Sequence, residues 1–298
     1  MDIKLVASAV EAYKDGASDS DASRLDFFQK MYELVQKRAD LVAGSAGYKG
    51  PATDAVKGLY SAGMPLFSQA PVDIDPALFA ETLSLVGKLL ADEAGLSDRV
   101  VAGLRAYDWN AFCEKADLDL AGKNPPAFIE ECLQDLESFG ISADIPASVF
   151  ATVCSFALRA HVQSAAEQAL EGADVENWRQ VFDQPVRCPV CGSPATASFV
   201  SDSAGTDGRG RMQYCSVCGT EWPFERIRCG MCGSTNGGHL HYFHIEGDSA
   251  HRIQKCDDCG QYERVVFPDD NSAPLCMEVE DVVMAKLDQV ALDPRFRS

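Results

Sequence analysis

Of the 12 cysteines in this 298-residue chain, eight fall into four Cys-x-x-Cys-Gly words. They read Cys188-Pro-Val-Cys191-Gly, Cys215-Ser-Val-Cys218-Gly, Cys229-Gly-Met-Cys232-Gly and Cys256-Asp-Asp-Cys259-Gly. Two thiolates separated by two residues can bite one metal ion, because the turn between them points both sulfurs inward. The glycine that follows suits a backbone curling back past the ion, where a Cβ would cost energy. A lone pair of this spacing would also fit a thioredoxin-type redox motif. Four in order predict metal ligation by Cys188, Cys191, Cys215, Cys218, Cys229, Cys232, Cys256 and Cys259.

The words recur at a fixed interval: Cys188, Cys191, Cys215 and Cys218 return at +41 as Cys229, Cys232, Cys256 and Cys259. The flanks recur as well. Arg187 and Arg228 precede the first cysteine of each unit, Gly192-Ser193 matches Gly233-Ser234, and Arg211-Met-Gln213 matches Arg252-Ile-Gln254. This is a tandem duplication of one unit. A self-contained unit pairs Cys188/Cys191 with Cys215/Cys218 and Cys229/Cys232 with Cys256/Cys259, leaving 23 residues between knuckles in each, near the spacing of ribbon zinc sites. An interleaved cross-brace is the structural alternative, and it would make the two halves interdependent.

A segment of about 40 residues cannot bury enough apolar surface to offset its chain entropy. A structural Zn²⁺ contributes about 10–16 kcal/mol of apparent binding free energy, which becomes folding free energy. Disulfides are the competing staple, but they belong to oxidising compartments. Four sulfurs in a tetrahedron suit zinc or a rubredoxin-like iron, and spacing does not separate the two.

The elements that must position these cysteines follow from periodicity. Residues 1 to about 182 read as helical throughout. Leu25, Phe28, Met31, Leu34 and Val35 form one apolar stripe on a helix near 22–42. A connector runs from Gly44 to Asp75; Asp75 then caps, and Pro76 opens, a helix carrying Leu78, Phe79, Leu83, Val86 and Leu90. Further helices are expected over 97–106, 126–138, 146–171 and 175–182. Cys113, Cys132 and Cys154 lack a Cys-x-x-Cys mate and read as buried small hydrophobes. Past the seam at Asp183-Gln184-Pro185, strand-like runs at 197–200 and 239–245 follow the first knuckle of each unit and return through Arg-x-Gln to the second. Residues 201–210 read as a mobile hairpin tip, and a closing helix is expected over 277–291. The fold class expected is α+β multidomain. An N-terminal all-α helical domain (1–183) precedes two tandem rubredoxin-like or zinc-ribbon β modules (184–225 and 226–268), then a C-terminal tail with the closing helix (269–298).

Composition excludes some functions. The net charge is −19, and residues 185–298 hold 11 Lys/Arg against 16 Asp/Glu, so the basic footprint of a nucleic-acid binder is missing. The apolar uncharged run Ile145 to Leu158 is 14 residues, short of a membrane span. The amino end lacks a basic segment and a long apolar run. A soluble cytoplasmic protein is therefore expected, where thiols stay reduced and available to metal. No Gly-rich phosphate loop, Ser-His-Asp or His-Glu-x-x-His pattern is present, and sulfur at all four positions leaves no open coordination site. No catalytic residue is assigned, and the chain is not expected to be an enzyme.

With these residues assembled, the sequence resembles the formate dehydrogenase accessory protein family, FdhE. The words that carry the resemblance are Arg187-Cys-Pro-Val-Cys-Gly-Ser193, Cys215-Ser-Val-Cys-Gly-Thr-Glu-Trp222, Arg226-Ile-Arg-Cys-Gly-Met-Cys232 and Cys256-Asp-Asp-Cys-Gly-Gln-Tyr262. Pro65-Leu-Phe67 and Phe150-Ala-Thr-Val-Cys-Ser-Phe156 add to it in the helical half. The chain departs from the family at Glu263-Arg264, where the family tends to carry Leu-Lys. The resemblance implies a cytoplasmic assembly factor for active formate dehydrogenase, binding the catalytic subunit and holding two metal ions, each coordinated by four cysteines, rubredoxin-like iron or zinc. From the charge and run lengths above, no nucleic acid and no membrane insertion are expected, and a homodimer is left open.

Alternatives from other classes stand beside it: a rubredoxin-like electron-transfer or thiol-redox protein, or a nucleic-acid-binding ribbon. His239, His241, His244 and His251 read either as a further metal site or as strand histidines lining a partner surface. Trp222 reads as a partner anchor or as the lid of its own knuckle, and Cys276 as a reactive thiol or as packing beneath the last helix.

Overall fold

A computed structural model describes residues 1–45, 48–141, 143–171, 173, 184–202 and 210–292. The helix expected at 175–182 and the hairpin tip at 203–209 lie outside the described residues. The first half is helical: α1 (Ile3–Lys14), α2 (Asp19–Ser45), α3 (Thr53–Ser61), α4 (Pro76–Glu93), α5 (Asp98–Ala106), α6 (Trp109–Cys113), α7 (Leu118–Lys123), α8 (Pro125–Gln134) and α9 (Ala147–Ala169). Short acidic and amide side chains start many of them. Asp2 accepts from the backbone N–H groups of Lys4 and Leu5, Asp75 from Leu78, Asp117 from Leu120 and Asn124 from Ala127, each satisfying an orphan donor of a first turn. The stretch read as a connector holds α3 and a 3₁₀ turn at Leu66–Ser68; nine residues and three are too few for periodicity to declare themselves.

Helix α9 is the axis of this body. It is buried on all sides along its middle turns and packs against α2, α4 and α8. Phe79, Phe112, Phe128 and Phe150 fill the space around it, with Trp109 stacked parallel to Phe150. Cys113, Cys132 and Cys154 lie in this core, and burial pushes the thiols of Cys113 and Cys132 up to about 12, so they behave as hydrophobes.

The second half is a six-stranded sheet: β1 (Ala197–Ser201), β2 (Gly210–Tyr214), β3 (Glu221–Phe224), β4 (Leu240–His244), β5 (His251–Cys256) and β6 (Tyr262–Val266). Each duplicated unit makes one antiparallel meander, and the strand order is β3-β2-β1-β6-β5-β4. The first strand of the first unit therefore runs parallel to the last strand of the second, with Ser198 opposite Val265 and Phe199 opposite Val266. The tandem ribbons share one continuous sheet.

The expected closing helix is two helices, α10 (Met277–Val283) and α11 (Ala285–Leu292). The break at Met284 lets Met277, Met284, Leu287 and Ala291 all reach the sheet beside Phe199, Tyr214, Ile253 and Val266. The other face of α10 joins Val6, Ala9 and Val10 of α1 and Tyr32 of α2. Cys276 opens α10 within that cluster, so it packs beneath the helix.

Candidate metal centres

The backbone around each Cys-x-x-Cys-Gly word takes one form. The amide of the knuckle glycine donates to the carbonyl of the first cysteine, at 3.0 Å for Gly192, 2.8 Å for Gly219, 2.9 Å for Gly233 and 2.8 Å for Gly260. All four glycines have positive φ, between 69° and 80°, a conformation that disfavours any side chain. The arginine before each first cysteine is part of the same device: Arg187 donates to the Gly192 carbonyl and Arg228 to that of Gly233.

These turns bring the sulfurs together in two quartets, Cys188/Cys191/Cys215/Cys218 and Cys229/Cys232/Cys256/Cys259, the Sγ atoms of each lying within 4.8 Å of one another. The pairing is that of the self-contained unit, not the cross-brace. In the first quartet Cys188–Cys218 and Cys191–Cys215 are 3.5 Å apart; in the second, Cys229–Cys259 is 3.8 Å and Cys232–Cys256 3.9 Å. A tetrahedron of sulfurs ~2.3 Å from a central ion has edges of about 3.8 Å, whereas a disulfide is about 2.0 Å long. All 12 cysteines are free thiols. The donor set and spacing fit a soft tetrahedral ion such as zinc or iron.

Electrostatics argues in the same direction. Burial, reinforced by hydrogen bonding among the four thiols, pushes Cys188 and Cys191 well above the ordinary thiol range. Against the same burial, hydrogen bonds from Cys188, Cys191, Cys215 and Thr220 hold Cys218 well below it. The protein alone thus favours a thiolate at Cys218 and opposes one at Cys188 and Cys191. A bound cation is what lets several ionise together.

The two centres sit in different surroundings. The first belongs to the core of the helical body. The Leu66 and Phe67 amides, from the Pro65-Leu-Phe word, donate to the Pro189 and Val190 carbonyls at 2.9 and 3.0 Å. Arg159 of α9 donates to the Ser216 carbonyl and to the Tyr214 hydroxyl and pairs with Glu278 at 2.6 Å. Trp222 is fully buried and donates its indole N–H to the Pro185 carbonyl at 2.8 Å, so it lids the knuckle rather than facing outward. The second centre lies at the outer end of the sheet, with Cys232 exposed and Cys259 half-buried.

Beside the second centre, within the sheet, lies a buried polar network. Arg211 of β2, wholly inaccessible, donates to Glu263 of β6 at 2.6 Å, to the Arg228 carbonyl at 2.9 Å, to Gln254 at 3.1 Å and to Ser198 at 3.1 Å. Glu263 is thus structural here, at a position where the resemblance had the family differ. The histidines do not assemble. His239 bonds Asp258 at 2.6 Å, His241 bonds Asp257 at 2.9 Å, and His244 is exposed. His251 is buried between Asp248 at 2.8 Å and Glu280 at 2.9 Å. Sequence reasoning missed Arg159, Arg211 and His251 as positioning residues; the recurrence of Arg-x-Gln at +41 was the signal for Arg211.

Residues 187–226, which contain the whole first centre, match the family described as "FdhE, central domain". This stretch is similar to an FdhE central domain. Curated relatives named Protein FdhE, from Escherichia coli O1:K1 / APEC and from Shigella boydii serotype 18 (strain CDC 3083-94 / BS512), are 36% identical over 86 residues, 28% of this chain and 26% of theirs. The matched stretch thus spans about a quarter of the length of these FdhE relatives. The crystal structure of the FdhE protein from Pseudomonas aeruginosa superposes with a TM-score of 0.58 at 20% identity, covering 98% of this chain and 92% of that one. That likeness places the helical body and the sheet in the FdhE fold, and the resemblance to the FdhE family holds. Among the described residues no helix is long and apolar enough to cross a membrane.

Proposed function

We propose that this protein is an accessory factor for the maturation of formate dehydrogenase, acting in the cytoplasm on the catalytic subunit and performing no catalysis of its own. The observation that carries the reading is the FdhE central-domain match laid over a complete sulfur quartet at residues 187–226. The eight knuckle cysteines are the ligands of two ions, iron or zinc, whose chemistry is to hold the knuckles in shape and to charge-balance four thiolates. The acidic surface, at net charge −19, favours a basic face on the partner and disfavours nucleic acid. A clean deletion should abolish formate dehydrogenase activity while its transcript persists, and the tagged protein should co-purify with the catalytic subunit. Full activity in the deletion strain would refute the reading. An electron-transfer role is the second reading, favoured by the exposure of Cys232 at the second centre; it requires a reversibly reducible iron form.

A further inference from the structure

The duplication supplies an internal comparison, since each residue of the first centre has a counterpart 41 positions on. Pro189-Val190 corresponds to Gly230-Met231, Ser216-Val217 to Asp257-Asp258, and Thr220 to Gln261. Pro189 and Val217 are apolar where the second copy has glycine and aspartate, and Ser216 and Thr220 carry hydroxyls where it has aspartate and glutamine. Packing follows that difference. Val190 is fully buried, and Val217 packs against the helical core. Met231 is 36% exposed and its neighbour Ile227 66%. A Cβ on Gly219 would meet Arg159 at 2.9 Å, whereas one on its counterpart Gly260 would meet nothing within 4 Å.

The bonds to sulfur diverge in parallel. In the first copy Ser193 lies 3.3 Å from the Cys191 sulfur and Thr220 3.1 Å from that of Cys218. In the second, the counterpart Ser234 has turned to the carboxylate of Asp258, which also holds His239, and Gln261 has no hydroxyl to offer. Polar partners outside the ligand shell and an apolar cover are what hold a metal's ligands in place and keep solvent and competing ligands away. The first centre keeps side-chain hydroxyls and the apolar cover; the second has lost both and keeps backbone donors, the Met231 and Cys232 amides lying 3.4 and 3.5 Å from the Cys229 sulfur.

We propose that the two centres have different duties. The ion at Cys188/Cys191/Cys215/Cys218 is a locked structural ion. The ion at Cys229/Cys232/Cys256/Cys259 is an exchangeable one, approached past Cys232 and Cys259 by a soft donor, a thiolate of a small molecule or of a partner protein. The exchange is ligand substitution: the incoming thiolate bonds the ion as the Cys232 or Cys259 sulfur leaves, with no change of oxidation state. The inference rests on the reading of the eight cysteines as ligands, and the test separates the two.

The full chain is loaded with Zn²⁺ and its metal content measured. Two ions per chain support the ligand reading; none overturns that reading and the inference with it. The loaded protein is then challenged with glutathione and a chromogenic zinc chelator. The expected result is two phases of one ion each, the fast one about 10–100-fold faster, the range over which outer partners tune metal sites. Pulsed alkylation with mass spectrometry should label Cys232 and Cys259 in the fast phase and leave Cys188, Cys191, Cys215 and Cys218 protected. Thr220→Gln, which removes the hydroxyl beside the Cys218 sulfur while keeping all four ligands, should speed the slow phase and leave the fast one unchanged. Two ions released in a single phase, or the first quartet labelled before the second, would overturn the inference while leaving the ligand reading intact.

Discussion

Replacing Arg211 by methionine tests whether the buried network couples the sheet to the second centre. The guanidinium is wholly inaccessible and meets Glu263, itself 3% exposed, at 2.6 Å. Removing one partner of a buried ion pair leaves an uncompensated charge and costs about 3–5 kcal/mol. At ~2–4 °C per kcal/mol for a chain of this size, Arg211→Met should melt about 6–20 °C lower than the parent. The same change frees the Arg228 carbonyl just before Cys229, so the second centre should also bind its ion more weakly. Glu263→Leu alone should be costly too, because it strands the cation. The double variant should recover part of the loss, since an apolar pair of similar volume approaches neutrality. Thermal unfolding of the four proteins gives the coupling energy directly. A coupling below about 0.5 kcal/mol, meaning that the two single effects simply add, would refute the claim that this pair acts as a unit.

Three further outcomes follow from the geometry. Burial works against the charge on His251, but its bonds to Asp248 and Glu280 outweigh that and lift the ring to about 9. A pKa raised above the unfolded value near 6.5 stabilises fully below that pH and is lost as pH rises through 9, so melting from pH 6 to 10 should lose on the order of 2–3 kcal/mol, and His251→Gln should flatten the profile. A Cβ on Gly230 would fall 2.0 Å from Glu263 Oε2 and 2.5 Å from Gln213 Nε2, and Arg211 pins that carboxylate. Gly230→Ala should therefore cost the chain one of its ions by elemental analysis, while Gly260→Ala, with φ +69° and open space, should keep both and lose only about 1–2 kcal/mol. Val190→Gln should destabilise by about 2–4 kcal/mol, because it buries an unpaired amide, whereas Met231→Gln at the matching position should stay within about 0.5 kcal/mol by the same melting assay.

The knuckles were legible because their chemistry is local. Ligand, spacer and glycine lie within five residues, and one copy of the word predicts the next. Long helices with one apolar face, such as α2 and α4, were legible for a related reason, since a stripe such as Leu25 to Val35 repeats over several turns. Short elements were not. Helices α6 and α7 span five and six residues, too few for a stripe, and the tertiary core holds them. Nor does periodicity reveal which chain neighbours will meet across 50 positions or more. Arg159 looks like an ordinary surface residue of an amphipathic helix, yet Tyr214, the Ser216 carbonyl and Glu278 all converge on it. The histidines illustrate the opposite case: four of them within 13 residues suggested a cluster, but each found its own carboxylate or the solvent.

The parallel pair of β1 and β6 sets an order of events. During synthesis, the strand at 197–201 emerges some 60 residues before its neighbour at 262–266, so the first meander must wait with one flank bare while the second copy is made. A chain ending after residue 226 would carry all the ligands of the first centre but leave β1 as an open template, the kind of edge that recruits other strands. Gene duplication here did more than add a second clasp: it supplied the strand that closes the first.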